Sequence, residues 1–160
     1  MDTIEKYHEY VNTSMVKAVE PVVIKSADGS TYYDEGGNSY LDLFSGISVT
    51  NVGHGNKVVV EAVTAQMNKL IHCCSYIYHV RPVADLTEKI ATITPGRLKK
   101  SFFANSGAEA IERAIRLAKR YSKKNEMIAL THSFHGRTMT ALSITGNSTR
   151  KRGGRHICRV

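Results

Sequence analysis

The spacing of apolar side chains changes period once along the chain, near residue 55. Before that point, from residue 21 to 44, short runs alternate. Val22–Lys25 leads into Ala27-Asp28-Gly29, Thr31-Tyr32-Tyr33 follows, and Glu35-Gly36-Gly37-Asn38 precedes Tyr40-Leu41-Asp42-Leu43-Phe44. Alternation broken by Gly and Asp turns predicts a small antiparallel meander. Next comes a glycine-rich loop, Ser45-Gly46-Ile47 through Asn51-Val52-Gly53-His54-Gly55, suited to wrapping closely around something. After it, Val59, Val63, Met67 and Leu70 recur as they would on one face of a helix, with Asn56 placed to cap it. A second helix is expected from near Pro82, with Leu86, Ile90 and Ile93 on its apolar face and Pro95-Gly96 as its stop.

The strongest pattern follows. Lys100–Ala104 reads as a short buried strand, and Ser106 with Glu109 forms an S-x-x-E capping box for a third helix. Ile111, Ala114, Ile115 and Ala118 form its expected buried stripe, and Glu109–Arg113 and Glu112–Arg116 its expected i, i+4 ion pairs. Acids at its start and Lys119, Arg120, Lys123 and Lys124 at its end complement the helix dipole. Met127–Thr131 reads as the next strand. Strand, helix and strand at this spacing predict a βαβ unit and a parallel sheet, hence an α/β fold. No repeat or low-complexity linker interrupts the chain, so the period change is the expected domain boundary, dividing 1–55 from 56–160.

Composition narrows the classes. With 42% hydrophobic and 22% charged residues, the 160-residue chain is not globally disordered. No run approaches the roughly 20 consecutive apolar residues of a membrane helix. The start, MDTIEKYHEY, does not read as a secretory leader, and a soluble cytoplasmic protein is expected. The net charge of +8 raises the question of nucleic acid, and its distribution argues against it. Residues 1–126 hold 16 basic and 14 acidic side chains, whereas five basic residues crowd into Arg150–Val160 with no acid. Such an end, without stacking aromatics, reads as a solvated tail rather than a nucleic-acid arm. His72, Cys73, Cys74 and His79 fit no zinc-site spacing, so no metal is expected and the two cysteines read as buried small hydrophobes.

Two loops carry candidate chemistry. At Ala104-Asn105-Ser106-Gly107-Ala108 a strand should end and the capped helix begin, where unpaired amides and the positive end of the dipole favour an anion. There is neither a GxxxxGK[ST] loop nor a GxGxxG fingerprint, and a single short turn suits a monophosphate better than a nucleotide. An ordinary capped helix start is the bland alternative. Ser133-Phe134-His135-Gly136-Arg137-Thr138 follows the next strand, and in a parallel sheet it would emerge at the same edge. No acid lies nearby to orient His135 as the base of a nucleophile pair. A phosphate anchor beside an aromatic face suggests a planar phosphorylated ring.

The run Asn105-Ser106-Gly107-Ala108-Glu109-Ala110-Ile111-Glu112 to Ala114-Ile115-Arg116-Leu117-Ala118, followed by Phe134-His135-Gly136-Arg137-Thr138, resembles the class III (ω-amino acid) pyridoxal-phosphate-dependent aminotransferases. Gly29, Tyr40-Leu41-Asp42, Gly46-Ile47, Asn51-Val52-Gly53-His54 and Leu86–Ile90 agree with the same family, and the likeness spans about residues 17–147. It implies a fold-type I α/β architecture, with residues 1–55 belonging to a small domain and 56–160 opening the large, cofactor-binding one. It implies pyridoxal 5'-phosphate, with the Gly107 and Ala108 amides on its phosphate, Ser106 shaping the turn, Phe134 stacked on the ring, His135 beside it and Ile47 on the substrate side. The activity implied is transfer of an amino group from an amino acid, such as 4-aminobutyrate or another ω-amino acid, to a 2-oxo acid, by a homodimer. An aminomutase, decarboxylase or racemase of the same fold type would share this half-site.

The chain also departs from the family. Lys57 stands where a proline is usual, and Arg150–Val160 does not resemble the Gly/Pro-rich segment that normally follows, which suggests a shifted reading frame near residue 150. None of the 12 lysines sits in the family's Schiff-base motif, so no catalytic residue is assigned and the 160 residues alone are expected to be inactive and poorly soluble.

Overall fold

The structure, a computed structural model, describes residues 1–13 and 19–146; Cys158 and the off-family stretch from residue 150 lie outside the described residues. The elements run α1 (Thr3–Tyr10), β1 (Ile24–Asp28), β2 (Thr31–Asp34), β3 (Ser39–Leu41), α2 (Ser45–Ser48), α3 (Lys57–Lys69), α4 (Arg81–Ile93), α5 (Gly107–Ser122) and α6 (Met139–Ile144). The chain divides into two compact units, Met1–Tyr78 and His79–Val160.

In the first unit the expected meander forms, in the order β1-β2-β3 and antiparallel throughout. Asp28 pairs with Thr31, so Gly29 and Ser30 alone make the first turn, and Gly29 supplies its left-handed residue at φ +53°. The first strand starts later than expected, at Ile24, with a register shift between Ile24 and Ser26. The third stops at Leu41, because the next residue, Asp42, turns its carboxylate onto the following backbone. Asp34 closes the second turn, accepting the Asn38 amide at 2.7 Å and the Tyr40 hydroxyl at 2.8 Å. α1 was not anticipated, although its signal was present: Asp2 accepts the Glu5 amide at 2.8 Å and Glu5 accepts the Asp2 amide at 2.7 Å, a reciprocal capping box. α3 begins as expected, with Asn56 Oδ1 accepting the Val59 amide, but Val59, Val63 and Met67 remain exposed.

In the second unit α4 spans Arg81–Ile93, with Pro82 in its first turn, and ends before Pro95. The buried centre lies where α5 meets α6: Ile115 is 4% exposed, and Ala141, Ser143, Ile144 and Thr145 are buried with it. The expected stripe on α5 is therefore narrower than its sequence pattern, because Ile111 is half-buried and Ala114 and Ala118 are exposed.

Three further expectations are corrected. Lys100–Ala104 and Met127–Thr131 are not strands, and Ile128 is 101% exposed. Strand-like composition becomes a strand only when a neighbour completes its ladder, and among the described residues neither segment has one. The two ion pairs on α5 do not form: Glu109 instead accepts the Asn105 amide at 2.8 Å, Arg113 lies over the Phe102 ring at 4.9 Å, and Glu112 turns to α6. An exposed i, i+4 pair contributes only about 0.3–0.5 kcal/mol, so a carboxylate that can reach several donors prefers them. Cys73 and Cys74 are half-buried rather than buried.

Candidate functional site

The start of α5 keeps half of the expected capping box: Ser106 caps the helix, whereas the Glu109 carboxylate reaches past the Ser106 amide to that of Asn105. Ser106 sits at the N-cap in extended conformation, and its hydroxyl oxygen accepts the Glu109 amide at 3.2 Å. The Ala110 amide donates to the Ser106 carbonyl. The Gly107 and Ala108 amides are thereby left, among the described residues, with no acceptor. A Cβ placed on Gly107 would meet nothing within 4 Å, so the space at that side-chain position is open. Two unpaired donors at the positive end of a 16-residue helix form a cradle for an anion.

The Phe134-His135-Gly136 loop lies against this turn. Gly136, at φ +130° and buried, comes so near that a Cβ on it would stand 2.6 Å from the Ala108 Cβ and 3.2 Å from the Ala141 Cβ. Only glycine allows both that backbone angle and that approach. The two loops singled out by sequence are therefore neighbours in space. Phe134 is 55% exposed and His135 half-buried, so the loop that lies against the start of α5 carries an aromatic side chain with much of its surface open.

Two residues that sequence reading did not single out hold this arrangement. Glu112 Oε1 accepts the Thr138 hydroxyl at 2.7 Å, the Thr140 amide at 3.1 Å and the Ala141 amide at 3.2 Å. It thus caps α6 from another helix, where the N-cap residue, Thr138, makes no side-chain cap of its own. The Thr138 hydroxyl above all, with the amides behind it, holds the Glu112 carboxyl below the ordinary glutamate range. Thr145, fully buried, accepts the His135 amide at 3.1 Å and donates to the Ala141 carbonyl at 3.0 Å. A local signal for Glu112 existed in the S-F-H-G-R-T-x-T run, whose threonines invite a helix start, but nothing in one sequence joins residues this far apart.

Ile47, expected on the substrate side, belongs to the first unit. It lies in α2, a single turn that winds left-handed, with φ of +49°, +58°, +64° and +61° from Ser45 to Ser48. For non-glycine residues this conformation costs about 1–2 kcal/mol each, so neighbours must enforce it. Asp42 does so. Its carboxylate accepts the Phe44 amide at 2.9 Å, the Ser45 amide at 2.7 Å and His54 Nε2 at 2.7 Å, and its side chain is only 2% exposed. The hydrogen bond from His54, ahead of the two amides, lowers the Asp42 carboxyl to about 2. His54 is fixed in turn by paired backbone bonds to Gly29 and by the Tyr32 ring at 4.7 Å. Ile47 itself is 74% exposed on this braced turn.

The class-III aminotransferase family profile matches residues 13–157. The acetylornithine aminotransferase of Methanopyrus kandleri is 41% identical over 144 residues, covering 90% of this chain and 36% of its own. The 5-aminovalerate aminotransferase DavT of Pseudomonas aeruginosa is 39% identical over 132 residues, covering 82% and 31%. Among solved structures, taurine:2-oxoglutarate aminotransferase from Bifidobacterium kashiwanohense, in complex with PLP and glutamate, superposes with a TM-score of 0.83 at 28% identity, over 93% of this chain and 34% of that one. The chain thus spans about a third of the length of these relatives. The family profile covers most of the chain: the chain belongs to the class-III aminotransferases.

Proposed function

We propose that this chain supplies the phosphate cradle and ring platform of a pyridoxal-phosphate-dependent aminotransferase, one that moves an amino group from an amino acid to a 2-oxo acid. The close approach of Gly136 to Ala108 carries the reading, because it brings the loop that bears Phe134 and His135 against the turn that bears two acceptor-less amides. Pyridoxal 5'-phosphate fits such a site at both ends: the Gly107 and Ala108 amides take the phosphate, and Phe134 with His135 takes the ring. When bound, the cofactor supplies an electron-accepting ring and a carbonyl carbon that carries the amino group between donor and acceptor. The chain's own task is orientation: anchoring the phosphate and stacking the ring fixes where that carbon sits. Gly107 lets the phosphate approach the backbone, and Ser106 keeps the turn in shape.

Ile47 lines the substrate side, with residues 1–55 in a small domain and 56–160 in the large one. The substrate is an ω-amino acid or a relative of one; the named relatives act on acetylornithine, 5-aminovalerate and taurine, which share an amino group remote from a second charged group. The working enzyme is a cytoplasmic homodimer, and these 160 residues alone do not turn over, since none of their lysines lies in the family's Schiff-base motif.

Titration of the purified chain with pyridoxal 5'-phosphate tests the reading. Saturable binding is expected, competed by inorganic phosphate and weakened in Phe134→Ala by about 0.5–1.5 kcal/mol, the range of an aromatic contact. Binding that ignores both phosphate and Phe134 would refute the site. Amino transfer by the chain alone would refute the statement that it does not turn over.

A further inference from the structure

We propose that Glu112 and Thr145 are positioning residues that hold the Phe134–Gly136 loop in register with the Ser106–Ala108 turn, and so set the separation of the ring platform from the phosphate cradle. This rests on the cofactor reading above. Glu112 projects from the second turn of α5, the helix whose first turn is the cradle, and its three hydrogen bonds end on Thr138, Thr140 and Ala141. They tie the start of α6 to the body of α5. Thr145 works from the far end of α6: one hydroxyl holds the helix through the Ala141 carbonyl and the loop through the His135 amide. The segment between them is pressed by Gly136 onto Ala108.

Each brace is chemically specific. Removing the Glu112 carboxylate leaves the Thr140 and Ala141 amides with no acceptor, and removing the Thr145 hydroxyl does the same to the half-buried His135 amide. The loop can then drift along α5 without unfolding it. Neither side chain belongs to the cradle or the platform, so both act through the loop. A ligand that touches cradle and platform together should sense the drift, whereas one that touches the cradle alone should not.

The test uses the 160-residue chain with Glu112→Ala and Thr145→Val, and the conservative Glu112→Gln and Thr145→Ser. Each is titrated with pyridoxine 5'-phosphate, which spans both parts, and with inorganic phosphate, which reaches only the cradle. Amide hydrogen exchange is followed at His135, Thr140 and Ala141 without ligand. The Ala and Val variants are expected to weaken pyridoxine phosphate about tenfold, the scale of one lost hydrogen bond, and to change phosphate by less than about twofold. Thr145→Ser should restore binding, and Glu112→Gln should fall between wild type and Ala. Equal losses for both ligands, or no loss for either, would overturn the proposal. If wild type binds neither ligand, the cofactor reading falls and exchange alone judges the braces. Faster His135 exchange in Glu112→Ala then supports coupling across the loop, and unchanged exchange overturns it. Should the Ala or Val variant fail to fold, Glu112→Gln carries the comparison, with a partial loss for pyridoxine phosphate and none for inorganic phosphate expected.

Discussion

Two neighbouring glycines separate stability from binding. Gly136→Ala would place a methyl group 2.6 Å from the Ala108 Cβ at a φ that disfavours side chains, and should destabilise the second unit by about 1–3 kcal/mol in denaturant unfolding. Gly107→Ala meets open space and should leave the denaturation midpoint nearly unchanged, yet crowd the approach to the cradle and weaken phosphate binding. A midpoint shift in the second, or none in the first, would contradict the packing described. Asp42 gives a pH signature. Its carboxyl falls from an ordinary 3.8 to about 2 in the folded chain, so its share of stability is complete above about pH 4 and is lost as pH falls toward 2. Acid unfolding followed at the Ile47 amide should show that window, and Asp42→Asn should abolish it. Ser106, Phe134 and Gly136 stood out in the sequence because capping residues and the aromatic-glycine pair act locally. Glu112, Thr145 and the Asp42–His54 pair did not, because their partners lie between 10 and 29 residues away and no local pattern encodes such a meeting.

At the scale of elements, the ends of helices were legible and the buried strands were not. Asn56, Ser106 and Pro82 mark their helix starts through groups within a few residues, so spacing sufficed. Lys100–Ala104 and Met127–Thr131 have apolar composition, but composition cannot supply the neighbouring chain that would make them strands. The expected ion pairs failed for a related reason: a carboxylate chooses among all donors within reach, and only folding reveals the Asn105 amide or the start of α6. Ser106→Ala should cost α5 about 1 kcal/mol, measured by thermal unfolding, and Ser106→Asp should retain it. At the other end of α5, Lys123 caps in left-handed conformation at φ +60°. Lys123→Gly should therefore stabilise the helix by about 1 kcal/mol, and a loss of stability would show that the lysine side chain matters more than its backbone angle.

At the scale of the molecule, the apolar sides of α3 and α4 are exposed among the described residues. Val59, Val63 and Met67 on α3 and Leu86 and Ile93 on α4 are exposed, in a chain that spans about a third of its relatives' length. Exposed apolar area of this kind drives association, so sedimentation should show concentration-dependent self-association in the micromolar range and dye binding to apolar surface. A monodisperse 17.7 kDa species would contradict that. The charge asks for a second measurement. Without residues 150–160 the net charge falls from +8 to +3, so any affinity for polyanions should disappear on removing that stretch, whereas phosphate binding at Gly107 should persist. The reach of Glu112 also bears on time. The anion cradle needs only the first turn of α5 and can form as fast as a helix nucleates, but Thr138 lies 26 residues further along. During synthesis at about 5–20 residues per second, the start of α5 therefore emerges a second or more before the proposed ring platform can dock on it. A phosphate present in that interval would meet half a site, and full recognition would await closure of the loop between Glu112 and Thr138.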